Sequence, residues 1–488
     1  MDRAIYHGVD CVHIYVVWLK RLEVRWVYKA IEMALSVSGT LPAGLSGSGV
    51  LPFRERIAPP SLLHGRSNTR QKVLDFQPVE DHCVNFRARA SITTGAGRKK
   101  TVAPTSVSTS SDVTLYIDIP DPAFTHLRLQ INDNEWRDLS GSIVPSSNGR
   151  WARFSVALPS SGGEASTTPH THRLTFAAHT GPDDSRWVKG PGDADWTVHG
   201  VATGARVRAD AEGAGLVTQP GILIVSDLDG TMVGDDDATR RFAAWWLQEA
   251  IPRGSVLVYS SGRHLELFQT LLEEKRGTLL PPDLYIGSVG TALYRAAGHF
   301  PAALTEDADF MTRLDDAWDR ELVPKVARRV VDELGPGMPE DARVSMRPAE
   351  EQSAHKCTLN VPLASLGDVE TSLVKWLKEE GVTPEIISSG CGDWRYLDVV
   401  PLAGGKLKSL QYVQRALGFE DNVTLACGDS GNDILMLSGT NRSVIVGNAQ
   451  AQLREWHEQA PNPVGRRFVA KKACADGILE AIAHAKLL

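Results

Sequence analysis

The sequence predicts an α/β protein: an open, mostly parallel, Rossmann-like sheet in the C-terminal half, preceded by a small all-β sandwich. Two observations carry this. Short apolar runs recur at Ile222-Leu223-Ile224-Val225, Val256-Leu257-Val258-Tyr259, Leu284-Tyr285-Ile286, Val423-Thr424-Leu425-Ala426-Cys427 and Val444-Ile445-Val446. Such runs suit strands buried on both faces, and helical patterns separate them, as in a parallel sheet. Before residue 200 the apolar period falls to two, the mark of strands with one buried face.

The whole chain sets the bounds. Its 488 residues suggest several domains, and 42% hydrophobic with 23% charged content is that of a soluble globular protein. A net charge of -7 without a long basic run argues against a nucleic-acid partner. Residues 12–27 are the most apolar stretch, but Lys20, Arg21, Glu23 and Arg25 interrupt it, so no membrane span is expected. The six cysteines are scattered, none at metal-ligand spacing, which reads as free thiols in a reducing compartment.

Residues 1–110 are expected to be a largely disordered leader. From Met33 to Arg54 the chain is rich in Ser, Gly and Pro and holds no acidic residue; Glu55 is the first after Met33. Acid-poor, Ser-rich and Arg-containing composition is that of a chloroplast transit peptide, with translation starting at Met1 or Met33. The alternative is a disordered tail without an address, on a cytoplasmic protein.

Residues 111–200 alternate: Val113, Leu115, Ile117, Ile119; Leu127, Leu129, Ile131; Phe154, Val156, Leu158; Leu174, Phe176, Ala178. Short strands parted by Pro, Gly, Asn and Ser predict an antiparallel sandwich. Of its four tryptophans, Trp136 and Trp187 fall in loops beside polar or charged residues, where an indole can stack on a sugar ring. Packing inside the sandwich is the competing assignment for each. The order of features resembles the starch-binding modules of plant starch synthases, although Glu135 and Val188-Lys189 replace that family's Gly and Asp-Asn. The resemblance implies that Trp136 and Trp187 contact starch or another α-glucan. Residues 201–220, rich in Gly and Ala, read as a linker, so a chain beginning near Gln219 is expected to keep all the chemistry.

That chemistry begins at Asp227-Leu228-Asp229-Gly230-Thr231, where a buried strand ends in two carboxylates. Ligands of parallel sheets bind at such ends. Alone, this is also how a strand stops at a polar turn. Ser261-Gly262-Arg263 ends the next strand, placing a hydroxyl before a helix N-terminus, an arrangement suited to phosphate. Lys406, after two glycines, opens a helix; near carboxylates and phosphate it becomes the counter-charge. Gly428-Asp429-Ser430-Gly431-Asn432-Asp433 ends a further strand in an oxygen-rich loop fit for Mg²⁺.

These four elements, in this order, resemble the haloacid dehalogenase phosphatase superfamily. Within it, Ser261-Gly262-Arg263, Gly287-Ser288-Val289-Gly290-Thr291, His355-Lys356, Ser388-Ser389-Gly390 and Asn448-Ala449-Gln450 are similar to the sucrose-phosphate phosphatases. The resemblance implies a core of residues 221–299 and 400–488, with an α/β cap inserted at 300–399. It implies that Asp227 is the nucleophile forming an aspartyl-phosphate and Asp229 the acid and base. Asp227, the Asp229 carbonyl and Asp429 would hold Mg²⁺, with Asp433 supporting the metal or Lys406. Ser261, Gly262 and Lys406 would bind phosphate; Arg263, Lys356 and Asp398 would contact the sugar. Ala292, Leu407 and the long turn 391–396 depart from the family's pattern. The expected function is Mg²⁺-dependent hydrolysis of sucrose 6-phosphate. The alternatives are hydrolysis of another sugar or glucan phosphate, or a non-catalytic glucan-binding scaffold.

Overall fold

Alternation places the first strands. In β1 (Asp112–Asp118) Val113, Leu115 and Ile117 are fully buried in the core of a two-sheet sandwich. Around them the computed structural model describes residues 112–159, 171–181, 186–335, 343–390, 392–460 and 465–487. The leader assigned to residues 1–110 lies outside the described residues. After β1 come β2 (His126–Ile131), β3 (Arg137–Ser140), β4 (Ser142–Ile143), β5 (Trp151–Ala157), β6 (His172–His179), β7 (Trp187–Val188), β8 (Trp196–Val201), β9 (Arg206–Asp210) and β10 (Gly213–Val217). One sheet has the order β10-β9-β1-β5-β4; the other runs β3-β2-β6-β7, with β8 also on β6.

Residues 201–220 are therefore no linker. β9 pairs in parallel with β1, and β10 antiparallel with β9. Val207 and Ala209 are buried in the sandwich while Arg206 and Arg208 point the other way. Two small apolar residues between arginines carry a weak hydrophobic signal, and glycines suffice in an edge strand.

The second sheet opens with β11 (Leu223–Ser226), β12 (Val256–Ser260), β13 (Leu284–Gly287), β14 (Ala292–Ala296) and β15 (Leu304–Glu306). The chain then builds a separate antiparallel sheet from β16 (Ser345–Met346), β17 (Cys357–Pro362), β18 (Pro384–Ser389) and β19 (Trp394–Pro401) before returning through β20 (Thr424–Gly428), β21 (Arg442–Ile445) and β22 (Arg467–Val469). The core order is β15-β14-β13-β12-β11-β20-β21-β22, in which β14 alone runs against the others. Helices α1 (Asp236–Trp245), α2 (Leu265–Glu274) and α3 (Ala308–Asp315) follow their strands in the core; α4 (Leu322–Leu334) and α5 (Leu366–Glu379) back the inserted sheet; α6 (Lys406–Leu417) re-enters the core.

The cap starts later than residue 300. β15 pairs with β14, and Phe310 and Leu314 of α3 pack with Leu223, Val225 and Leu410 in the core. In the cap sheet, of order β16-β17-β19-β18, Leu359, Val361, Leu397 and Val399 are buried against α4 and α5. By the period of two, Thr358, Asn360, Tyr396 and Asp398 occupy the other face. Ile387 and Val400, on that same face, pack on Val289 of the core.

The sandwich is docked on the core. Tyr116, Val144 and Trp151 belong to one buried cluster with Ile222, Ile251 and Tyr285. The Ser146 amide donates to Asp283 Oδ1 at 3.3 Å, and the Leu257 amide donates to its Oδ2 at 2.9 Å. The Ile143 amide donates to the Gly298 carbonyl at 2.8 Å. Ile222 and Asp283 immediately precede β11 and β13, so the contact lies at the N-terminal ends of the strands. No helix among the described residues is long and apolar enough to cross a membrane.

Candidate active site

The opposite, C-terminal ends of β11, β12 and β20 bring the predicted polar residues together. Asp227 follows β11, and its amide donates to the Cys427 carbonyl at 3.0 Å, continuing the parallel ladder past the strand. Gly230 turns the chain back with a φ of 87°, a left-handed conformation that favours glycine. A Cβ at Gly230 would lie 2.5 Å from Asp429 Oδ2, so the glycine also keeps that approach open. Thr231 donates its hydroxyl to Asp429 Oδ1 at 3.0 Å.

Lys406 is the hub. It is the first residue of α6, 2% exposed, and follows Gly405 at a φ of 90°. Its ammonium donates to Asp227 Oδ1 (2.6 Å), Asp433 Oδ1 (2.7 Å) and Asn432 Oδ1 (3.0 Å). Asp433, fully buried, accepts the Asp429 and Ser430 amides at 3.1 Å on its other oxygen. Both of its oxygens are thus engaged, which favours the supporting role over direct metal ligation. Loop 287–291 passes so close that a Cβ on Gly290 would be 2.3 Å from the Gly405 carbonyl carbon.

Three buried carboxylates share one ammonium, and the electrostatics follow. Burial holds the Asp227 carboxyl well above the usual range; Lys406 opposes this, and Asp433 and Asp429 reinforce it. Asp429 is pushed up to about 7 by burial first and by Asp433 second, against the Thr231 hydrogen bond. Burial pulls Lys406 down, but the Asp227 and Asp433 carboxylates together raise it, so it stays charged. A divalent cation fits this donor set. One oxygen each from Asp227, Asp429 and Asp433 lies within 4.8 Å of the others, all three residues are buried, and a single ammonium, that of Lys406, faces the three carboxylates.

Asp229 is placed differently from Asp227. Its carboxylate is exposed and accepts two bonds from Arg263, from Nε and Nη2, each at 2.8 Å. It is outside the three-carboxylate group, so only its backbone remains as the predicted metal contact. Arg263, expected at the sugar, is instead paired with Asp229. Its carbonyl is pinned by the Tyr285 hydroxyl at 2.6 Å and the Ser288 amide at 3.0 Å. Ser261, 2% exposed, accepts the Arg263 amide on its hydroxyl at 3.2 Å, and Gly262 beside it is exposed.

On the cap, Lys356 and Asp398 lie side by side, Nζ to Oδ1 at 3.9 Å, and Asp398 Oδ1 accepts the Thr358 hydroxyl at 2.6 Å. Both are buried, with burial raising the Asp398 carboxyl against the pull of Lys356 and Thr358. Sequence reasoning gave no role to Asn432, Thr231 or Tyr396. The first two sit inside recognised loops, where one more polar residue does not stand out; the third, expected in a long turn, lies on β19. In the sandwich, Trp136 and Trp187 are 37% and 38% exposed, whereas Trp151 and Trp196 are 2% and 3% exposed.

Strand-end carboxylates, a buried helix-leading lysine and an inserted cap define the class: an α/β protein whose mostly parallel core sheet carries its polar site under a cap. The family described as Sucrose-6F-phosphate phosphohydrolase matches residues 220–486, and the chain belongs to that family. Sucrose-phosphatase 2 of Nicotiana tabacum is 36% identical over 275 residues, covering 54% of this chain and 59% of that protein. The chain thus spans about three fifths of the length of that relative. Mannosylfructose-phosphate phosphatase of Agrobacterium fabrum is 32% identical over 271 residues, covering 54% of this chain and 96% of that protein. A structure of the sucrose-phosphatase from Synechocystis with sucrose and phosphate shares 30% identity at a TM-score of 0.46, covering 55% of this chain and 99% of that one.

Proposed function

We propose that this chain is a Mg²⁺-dependent phosphatase that releases phosphate from sucrose 6-phosphate. The observation that carries the reading is Asp227, buried at a strand end, tied to Lys406 and beside Asp429, with a second carboxylate two residues on. Asp227 attacks phosphorus in line; the P–O bond to the sugar breaks and an aspartyl-phosphate forms. Asp229, released from Arg263 and protonated from solvent or by the water of the preceding turnover, gives that proton to the departing sugar oxygen. It then takes a proton from the water that attacks the aspartyl-phosphate. Lys406, the Ser261 hydroxyl and the backbone at Gly262 hold phosphate oxygens. Mg²⁺, held by Asp227 and Asp429, would neutralise the phosphate and supply the positive charge that three carboxylates otherwise deny it. Inorganic phosphate released from sucrose 6-phosphate with Mg²⁺ and not with EDTA supports the reading; no release in either defeats it.

The carboxylates give a pH signature for the metal. Asp429 titrates at about 7 in the metal-free fold against an ordinary 3.8, so the folded form binds the proton more tightly. Metal-free stability therefore falls as pH rises from about 4 to about 7. A cation needs the ionised ligand and restores what is lost. The rise in melting temperature on adding saturating Mg²⁺ is expected to be larger at pH 8 than at pH 6, measured by scanning calorimetry. An equal rise at both would count against Asp429 as a ligand.

A second reading concerns the sandwich, and the exposure of two of its tryptophans favours it. Trp187 stacks on His179 with centroids 4.6 Å apart, His179 contacts Asp138 at 3.2 Å, and Arg128 lies 5.3 Å from the centre of Trp136. These residues sit on the outer face of the β3-β2-β6-β7 sheet, since His126 pairs with His179 and Arg128 with Asp138. We propose that this face binds α-glucan. The other sheet docks at the N-terminal strand ends, so the glucan face points away from the active site and would tether the enzyme without feeding it. At about 1 kcal/mol per stacked ring, changing both Trp136 and Trp187 to Ala should weaken binding to starch, read by co-sedimentation, by about tenfold or more. Turnover of a soluble sugar phosphate should not change. If both proteins sediment alike, the tethering idea is wrong.

A further inference from the structure

The cap sheet turns one face to α4 and α5 and the other to the core. Along the core-facing side the rows are fixed by register. Ile387, Asp398 and Thr358 form one row; Ser389, Tyr396 and Asn360 form the next. The first row is anchored near the phosphate end, because Ile387 packs on Val289 and lies 3.4 Å from the position of a Cβ on Gly405, beside Lys406. The second row is two residues further along β19, and so about 7 Å further from the core. A sugar ester held at Lys406 and lying under this face would extend along these rows.

In the second row stands Tyr396, a large aromatic side chain that is 44% exposed. The guanidinium of Arg347 lies 4.9 Å from its ring centre. Arg347 is itself held by Glu351, through Nε at 2.9 Å and Nη2 at 2.5 Å. A cation clamped by a carboxylate makes a rigid backing for the ring. Asn360 and Ser389, paired with Tyr396 on either side, offer amide and hydroxyl groups in the same row. An aromatic ring with polar neighbours is the surface that the apolar face of a pyranose stacks on.

We propose that Tyr396, backed by Arg347, is a specificity residue: it stacks on the sugar ring distal to the phosphate and so selects a two-ring substrate over a one-ring one. The inference rests on the sugar-phosphatase reading and adds to it a residue of β19. It differs from the buried Lys356–Asp398 pair, which lies nearer the phosphate. The stacking surface is the ring itself, so the hydroxyl is dispensable.

The test measures phosphate release by wild type, Tyr396→Ala and Tyr396→Phe on sucrose 6-phosphate and on fructose 6-phosphate, with circular dichroism to confirm folding. Tyr396→Ala should raise KM for the disaccharide phosphate about tenfold at a nearly unchanged kcat, and leave the monosaccharide phosphate unaffected. Tyr396→Phe should behave as wild type. A Tyr396→Ala variant with unchanged KM on the disaccharide, an equal rise on both substrates, or a Phe variant as impaired as Ala would each overturn the stacking role. A wild-type protein that releases phosphate from neither sugar would overturn the function on which the role rests, and the role with it.

Discussion

Asp227→Asn is expected to abolish phosphate release while the protein stays folded. The amide matches the carboxylate in size but has no oxyanion to attack phosphorus, so no acyl-phosphate forms and turnover should fall by at least about 10⁴-fold. Lys406 keeps Asp433 and Asn432 as partners, so no buried charge is orphaned. The change also removes one of three crowded carboxylates whose charged form burial disfavours. The melting temperature in the absence of metal should therefore be equal to or above that of wild type. Phosphate assay and calorimetry on the same sample check both halves. Activity above background in a folded variant would mean that another group makes the bond to phosphorus.

The second large effect is on stability. Trp151 lies in the sandwich but is buried in the core's own apolar cluster, 2% exposed. Trp151→Ala should cost about 3–5 kcal/mol, the range for emptying a large aromatic site. Removing the sandwich should cost more. A chain beginning near Gln219 would expose Ile222 and Ile251 and strip Asp283 of the Ser146 amide that helps to satisfy it. Such a fragment is expected to aggregate or melt well below the full chain, against the expectation from sequence that it stands alone. Urea unfolding should show one transition for sandwich and core together, and Trp151→Ala should move its midpoint. Two separate transitions, or a core fragment with an unchanged midpoint, would contradict the docking account.

The sequence pattern and the docked sandwich point opposite ways on separability, and the difference has a physical source. Tyr116 belongs to the outward set of β1 and reads as a solvent-facing position in an alternating strand, because a period of two names two faces without saying what covers the second. Only the tertiary contact with Ile222 shows that both faces are buried. The catalytic core was more legible. Buried parallel strands announce themselves by unbroken apolar runs, and the residue after each run falls at a strand end by construction, as Asp227, Ser261 and Asp429 do. Their convergence with Lys406 needed no long-range guess beyond the topology. What spacing could not reveal was pairing. Arg263 and Asp229 are 34 residues apart, and either side chain could equally have faced the substrate. Tyr396 escaped notice for a related reason: its face is set by register with Asn360 and Ser389, not by a motif.

The central claim is that this site cleaves a sugar phosphate ester with help from a divalent cation. It is tested most directly by phosphate release from purified protein over a panel of sucrose 6-phosphate, mannosylfructose phosphate, trehalose 6-phosphate and glucose 6-phosphate, each with Mg²⁺ and with EDTA. The account predicts Mg²⁺-dependent release, with kcat/KM highest for sucrose 6-phosphate. Release that persists in EDTA, or no release from any of the four, would contradict it.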